Sequence, residues 1–344
     1  MSIPVIGFFN NKGGVGKTSL VYHLSWMYYD MGLRVVAADL DPQANLTAAF
    51  LDEERLEELW LKGDHPQTIY GCIQPLLEGI GDITQPHVEA ISDVPGQLLL
   101  TPDDAIGLLV GDLQLSQIED ELSDVWPKCL DGNQRAFRVT SAFWRAMQQA
   151  GEERKADVIL MDMGPNLGAI NRAALIATDF IVVPLSPDLF SLQGLRNLGP
   201  TRRRWHREWQ ERLTKKPEEM MLDLPSGQMQ PVGYVVLQHA VRMDRPVQAY
   251  ERWITQIPSE YRKEVLDEQD KSNVTIENDP NRLALLKHYR SLMPLAQEAR
   301  KPMFHLKPAD GAIGSHMRAV QDASQDFQKL GRIIAQRTHV VIPQ

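Results

Sequence analysis

The chain has 344 residues, 43% of them apolar and 24% charged, a balance that suits a soluble globular protein and excludes a disordered or fibrous one. Its formal charge of -9 excludes a general attraction to nucleic acid or an anionic membrane, so any such binding needs a local basic patch. Two distant cysteines, Cys72 and Cys129, exclude a disulfide framework or a CxxC metal site, and no run approaches the roughly 20 apolar residues of a membrane span.

In chain order, the first apolar run is Val5–Phe9, a strand that Asn10, Asn11 and Lys12 cut short of any signal-peptide core; a cytoplasmic location is expected. A glycine-rich stretch comes next and leads into Leu20, Leu24, Met27 and Tyr28, which recur at helical spacing. Strands are expected at 34–38, 158–161, 180–183 and 232–237, and Leu98–Leu100 offers a lesser edge strand closed by a turn at Pro102. The unbroken apolar runs suit strands covered on both faces. The expected fold is α/β, with a mostly parallel central sheet and helices on both faces. One domain, 1–344, is expected, with inserts near 51–70, 105–140 and 211–230, because the polar stretches there are too long for simple crossovers. Val320, Phe327, Leu330, Ile333 and Ile334 predict a final helix packed on the body.

The glycine stretch reads Lys12-Gly13-Gly14-Val15-Gly16-Lys17-Thr18-Ser19, between a strand and a helix, the context that a phosphate-binding loop requires. Glycines let backbone amides turn inward on phosphates, and the helix presents its positive end to the same anion. Lys17 is the candidate for the β- and γ-phosphates and the Thr18 hydroxyl for Mg²⁺, so the expected α/β fold is that of a P-loop NTPase, and the implied cofactors are ATP and Mg²⁺. The second strand runs into Asp39-Leu40-Asp41-Pro42-Gln43, and strand alternation puts Asp39 and Asp41 on one side of its end. Asp-Pro is itself a turn signal, so a turn role for Asp41 stays open. The third strong strand ends in Asp162, an apolar run closed by an acid, which fits a Mg²⁺-associated carboxylate.

With Asn11 where the strict pattern wants glycine and a second lysine at position 12, the loop KGGVGKT resembles the deviant Walker A motif of the ParA/MinD family of ATPases. Asp39–Gln43 resembles that family's DxDPQ motif, and Asp162–Gly168 its DxPPxLG motif, with Gly164 in place of the first proline. Asp179–Leu195 is similar to the strand and loop that come next. These four ordered matches cover roughly the first 200 residues; the remainder matches loosely. The resemblance implies slow, partner-stimulated hydrolysis of ATP to ADP and phosphate. It implies that Asp39 supports the Mg²⁺ water shell, that Asp41 orients or activates the attacking water, and that Lys12 reaches the nucleotide of a second subunit in an ATP-dependent homodimer.

Within that family, no cysteine follows Asp162 closely enough for a cluster carrier, the C-terminus lacks a basic amphipathic helix for membrane cycling, and the last tyrosine, Tyr289, leaves no C-terminal tyrosine cluster. No operator-binding region is expected before the loop. A ParA-like partition or cargo-positioning ATPase remains, which implies non-specific DNA as a partner, association with the nucleoid, and a ParB-like or other activating adaptor. A basic patch exists. From Arg196 to Lys216 eight basic residues face two acids, leaving the rest of the chain at about -15. Trp205, Trp209 and Leu213 mark the buried side of a helix that Pro200 opens or kinks, and Arg202, Arg203, Arg204 and Arg207 are the candidate DNA contacts. A solvated basic face, and with it an ATP-switched regulatory or enzymatic protein that does not touch DNA, is the alternative.

Overall fold

The computed structural model describes residues 2–61, 63, 65–92, 106–237, 247–269, 274–287, 289 and 292–343. Eight strands form one sheet: β1 (Val5–Phe8), β2 (Val35–Asp39), β3 (Val88–Ile91), β4 (Ile106–Leu109), β5 (Val158–Asp162), β6 (Phe180–Leu185), β7 (Gln230–Leu237) and β8 (Arg282–Leu286). Their order is β3-β4-β2-β5-β1-β6-β7-β8. Among the described residues only the β3–β4 pairing is antiparallel; the other pairings are parallel.

The central strands are buried on both sides because their side chains alternate between two cores. Val5 and Phe9 join Val36, Ile159 and Met161 on one face, beneath Phe137, Phe143 and Trp209. Ile6 and Phe8 join Val35, Ala37 and Leu160 on the other, beneath Leu20, Leu24 and Phe327. The expected final helix is present as Ser315–Thr338, and Val320, Phe327, Leu330 and Ile334 are its buried stripe.

Register sets the site. Asp39 pairs across β2–β5 with Asp162, and Phe8 pairs across β1–β5 with the same residue, so the loops after β1, β2 and β5 leave the sheet at one level. Ligands of open α/β sheets gather at these carboxyl ends.

Two expectations change. The stretch near 105–140 opens with β4, a sheet strand hydrogen-bonded to β2, and only the part after that strand is extra: a 3-10 turn over Leu113–Ile118 and helices Glu119–Lys128 and Gln134–Thr140. Pro200 does not open its helix, which runs unbroken over Leu189–Leu213 from an N-cap at Asp188. The cap overrides the proline, since the Asp188 carboxylate accepts from the Ser191 amide at 2.9 Å and starts the helix three turns earlier. Leu98–Leu100 and His239 lie outside the described residues.

Candidate functional site

The loop between β1 and helix Lys17–Asp30 takes its shape from two glycines. Gly14 and Gly16 have φ of 71° and 78°, a region that side chains strain to enter. A Cβ on Gly16 would also lie 2.8 Å from Leu237. Val15 anchors the loop by burying its side chain completely. The helix that begins at Lys17 has no side-chain cap and no acid in its first turn, so its leading amides are left for an anion. Lys17 is buried, and among the described residues its ammonium has one hydrogen-bond acceptor, the Lys12 carbonyl at 3.4 Å. Burial pulls its pKa down, against the pull of Asp162 and Asp41. A cation kept in so dry a place, with no full counter-charge, is suited to a bound polyphosphate.

The three acids stand together. The Thr18 hydroxyl donates to Asp162 Oδ2 at 2.6 Å. Asp39, fully buried, accepts at Oδ2 from the Thr47 amide at 2.8 Å and the Thr47 hydroxyl at 2.9 Å, and at Oδ1 from the Asp41 amide at 3.2 Å. Burial lifts Asp162 to about 8, helped by the facing Asp39, and lifts Asp39 to about 6. Asp41 accepts from the Gln43 amide at 3.0 Å, so the turn role considered for it is real. The same oxygen stands 3.2 Å from the point where a Cβ on Gly164 would sit, which brings the loops after β2 and β5 into contact.

These residues fit Mg²⁺. Thr18, Asp39 and Asp162 offer hard oxygens, and a divalent ion would supply the positive charge that the two buried carboxyls lack. Among the described residues no group of three or more His, Cys, Asp or Glu side chains forms a ready-made metal cage. Mg²⁺ does not need one, since it binds through few protein ligands plus water and phosphate.

Lys12 is folded back within its own chain. Its amide donates to Asn10 Oδ1 at 3.0 Å, and its ammonium pairs with Asp188, the residue that caps Leu189–Leu213. That helix comes close because Gly194 faces the loop: a Cβ there would lie 2.5 Å from Asn10 Oδ1. A cavity of about 730 Å³ opens from the loop. Its walls include Gly13, Lys17, Thr18, Asp41 and His23, together with Met293, Ala296 and Gln297 from later in the chain.

The structure divides the basic segment. Arg202 donates to the Met229 and Val265 carbonyls, and Arg203 to the Glu264 carbonyl. Arg196 forms an ion pair with Glu260, and Arg212 is buried over the Trp126 ring at 3.9 Å. Arg204 and Arg207 are exposed, and Arg204 reaches Glu208 only at 3.9 Å. Of the four arginines expected to meet DNA, these two remain candidates for an external anion, and Lys215 in the same segment is exposed as well.

Sequence reasoning missed Thr47 and Gly111. Gly111 donates its amide to the Thr47 hydroxyl at 2.9 Å, and a Cβ on it would lie 2.8 Å from Asp39. Thr47 stands eight residues beyond Asp39, at the distance a turn and one helical turn would span, which is the only signal the sequence offers. Gly111 has none without β4.

A strand, a left-handed glycine loop, an uncapped helix and two strand-end acids define a P-loop NTPase. The chain belongs to the family described as AAA domain, whose model matches residues 3–215, and within P-loop proteins it is of the ParA/MinD type, with the deviant Walker A loop. It is 27% identical over 197 residues to the chromosome partitioning protein ParA of Myxococcus xanthus, a match covering 57% of each chain. Across the curated relatives the matches span 42–63% of the relatives' own lengths. A solved protein of Corynebacterium diphtheriae superposes with a TM-score of 0.68 at 22% identity, over 97% of this chain and 98% of that one. The pNOB8 ParA bound to nonspecific DNA superposes with a TM-score of 0.56 at 15% identity, over 98% and 99%. These two likenesses bear on the fold, and they extend it beyond residue 215.

No helix among the described residues is long and apolar enough to cross a membrane.

Proposed function

We propose that this chain is an ATPase of the ParA type that dimerises on ATP and acts in DNA partition or cargo positioning through non-specific DNA binding. The carrying observation is the loop with two lysines: Lys17 is buried at the phosphate site, while Lys12 is held away from it by Asp188. One lysine serves the chain's own nucleotide, and the other is available to a partner's. Thr18, Asp39 and Asp162 would hold Mg²⁺, which when bound would neutralise phosphate charge, and Asp41 orients the attacking water. DNA contact falls to Arg204 and Arg207, in a protein at the nucleoid that an adaptor stimulates. The pNOB8 relative, seen on nonspecific DNA, supports this reading.

A second reading has its own observation. Arg196, Arg202, Arg203, Arg212 and Lys216 are all engaged inside the chain, so an ATP switch that does not touch DNA is favoured by the loss of most of the basic patch. DNA retention with ATP, ADP and no nucleotide, each over a salt series, separates the two. Retention that requires ATP and falls steeply with salt is the expected result. Equal retention in all three states would transfer the assignment to the second reading.

A further inference from the structure

The loop that leaves β5 after Asp162 ends on the helix Ala169–Ile176. It stands at the site: Pro165 lines the cavity of the phosphate loop, and Gly164 is the residue set against Asp41. What fixes this loop is the first turn of the helix. Asn171, 1% exposed, donates through Nδ2 to the Gly164 carbonyl at 3.0 Å and to the Asn166 carbonyl at 2.8 Å. Buried polar groups are held to their hydrogen-bond partners by the cost of losing them, so the backbone beside Asp41 goes where Asn171 goes.

That helix has no cap of its own. Its N-cap is Gly168, which has no side chain to offer, and a helix start needs acceptors for its leading amides. They come from far upstream: Glu119 Oε1 accepts from the Ala169 amide at 2.5 Å, and Oε2 from the Ile170 amide at 2.9 Å. Glu119 opens the helix Glu119–Lys128, in the extra stretch after β4. An acid in a first turn ordinarily complements its own helix, whereas here both oxygens are given to another one. The approach requires glycine at 168, since a Cβ there would lie 2.5 Å from Glu119 Oε1.

We propose that Glu119 is a positioning residue for hydrolysis: from the extra stretch it sets the first turn of Ala169–Ile176, and through Asn171 it holds the backbone against which Asp41 works. This rests on the role read for Asp41 above and deepens it. Two oxygens on two successive amides fix the helix start more firmly than one would, and a negative charge at the positive end of the helix adds to the hold. Lys17 and Thr18 stand on a different element, the helix after β1. Loss of the clamp therefore reaches turnover and spares the binding of ATP.

Hydrolysis at saturating ATP and equilibrium ATP affinity, measured side by side on the full chain well below its melting temperature, test this. Glu119→Ala is expected to turn over about ten-fold more slowly, within what a misplacement away from the chemistry costs, while its ATP affinity stays within about two-fold of the parent's. Glu119→Gln keeps one acceptor oxygen of the two and is expected to recover part of the rate, which mere filling of space does not do. Because Glu119 acts through Asn171, the double variant Glu119→Ala with Asn171→Ala is expected to be no slower than Asn171→Ala alone. Parental turnover by Glu119→Ala overturns the positioning role, and so does a loss of rate matched by an equal loss of affinity, a glutamine no faster than alanine, or losses that multiply in the double variant. Asp41→Ala is the separate control: if it hydrolyses ATP at the parental rate, the reading of Asp41 itself fails, whatever Glu119 does.

Discussion

Lys17 keeps a cation in a buried loop with one backbone oxygen at 3.4 Å for company. Lys17→Ala removes a charged contact of up to about 3 kcal/mol, so ATP affinity is expected to fall by about a hundred-fold; titration with a fluorescent ATP analogue reads it, and undiminished affinity would remove the phosphate assignment. Asp41 stands apart from Lys17 in consequence. Asp41→Ala is expected to keep ATP binding while hydrolysis slows by about 10²–10⁴-fold, the usual worth of a positioned base; turnover at the parental rate places that role elsewhere. Asp162 adds a pH dependence. Its folded pKa of about 8 lies above its ordinary value of 3.8, so in the nucleotide-free chain the folded state binds the proton that the unfolded state has lost. The stabilisation is full below about pH 4 and is lost as pH rises through about 8. Asp162→Asn, which cannot ionise, is expected to flatten the fall in melting temperature over that window, and a slope like the parent's would refute the account.

At the scale of elements, the legible part of the fold came from length and composition. β1, β2, β5, β6 and β7 are apolar runs buried on both faces, and each falls within a residue or two of its expected place. β3 and β8 are edge strands of four and five residues that carry Glu89 and Arg282; β3 has no apolar run, and the four apolar residues of β8, Leu283 to Leu286, are too few to tell a strand from a helix segment. β4 is only Ile-Gly-Leu-Leu, and its neighbour in the sheet comes from far back in the chain. Gly111 was hidden for the same reason, because its contact with Asp39 exists only once β4 lies against β2, whereas Thr47 reaches Asp39 from the helix that follows β2. The helix Leu189–Leu213 was legible in its Trp205 and Trp209 stripe, but which arginines stay exposed depends on carbonyls at Met229, Glu264 and Val265, which no spacing reveals. The exposed pair is the place to test: replacing Arg204 and Arg207 with Glu is expected to lower ATP-dependent DNA retention and reduce the salt slope by about two. Nucleotide affinity should not move. An unchanged slope would favour the ATP switch that leaves DNA alone.

At the scale of the whole molecule the question is what Lys12 is for. It precedes the glycines, its ammonium is turned to Asp188, and Asp188 caps the helix that carries the arginines. One carboxylate therefore ties the start of the phosphate loop to the start of that helix. For Lys12 to serve a second subunit it must leave Asp188, and only phosphate charge on the facing chain repays that exchange of one anion for another. Dimerisation then depends on ATP, since without phosphates two such lysines repel each other. Lys12→Ala is expected to bind ATP as a monomer and to lose both ATP-induced dimerisation and most hydrolysis, as when an arginine finger acting in trans is removed. Asp188→Asn acts in the opposite sense: asparagine caps a helix about as well as aspartate but gives up the charge that holds the lysine, so the dimer is expected to form at lower protein concentration. Light scattering with a slowly hydrolysed ATP analogue measures both. A Lys12→Ala dimer as stable as the parent's would overturn the trans role of the lysine, and an Asp188→Asn chain that dimerises no more readily would show that the pair does not restrain it.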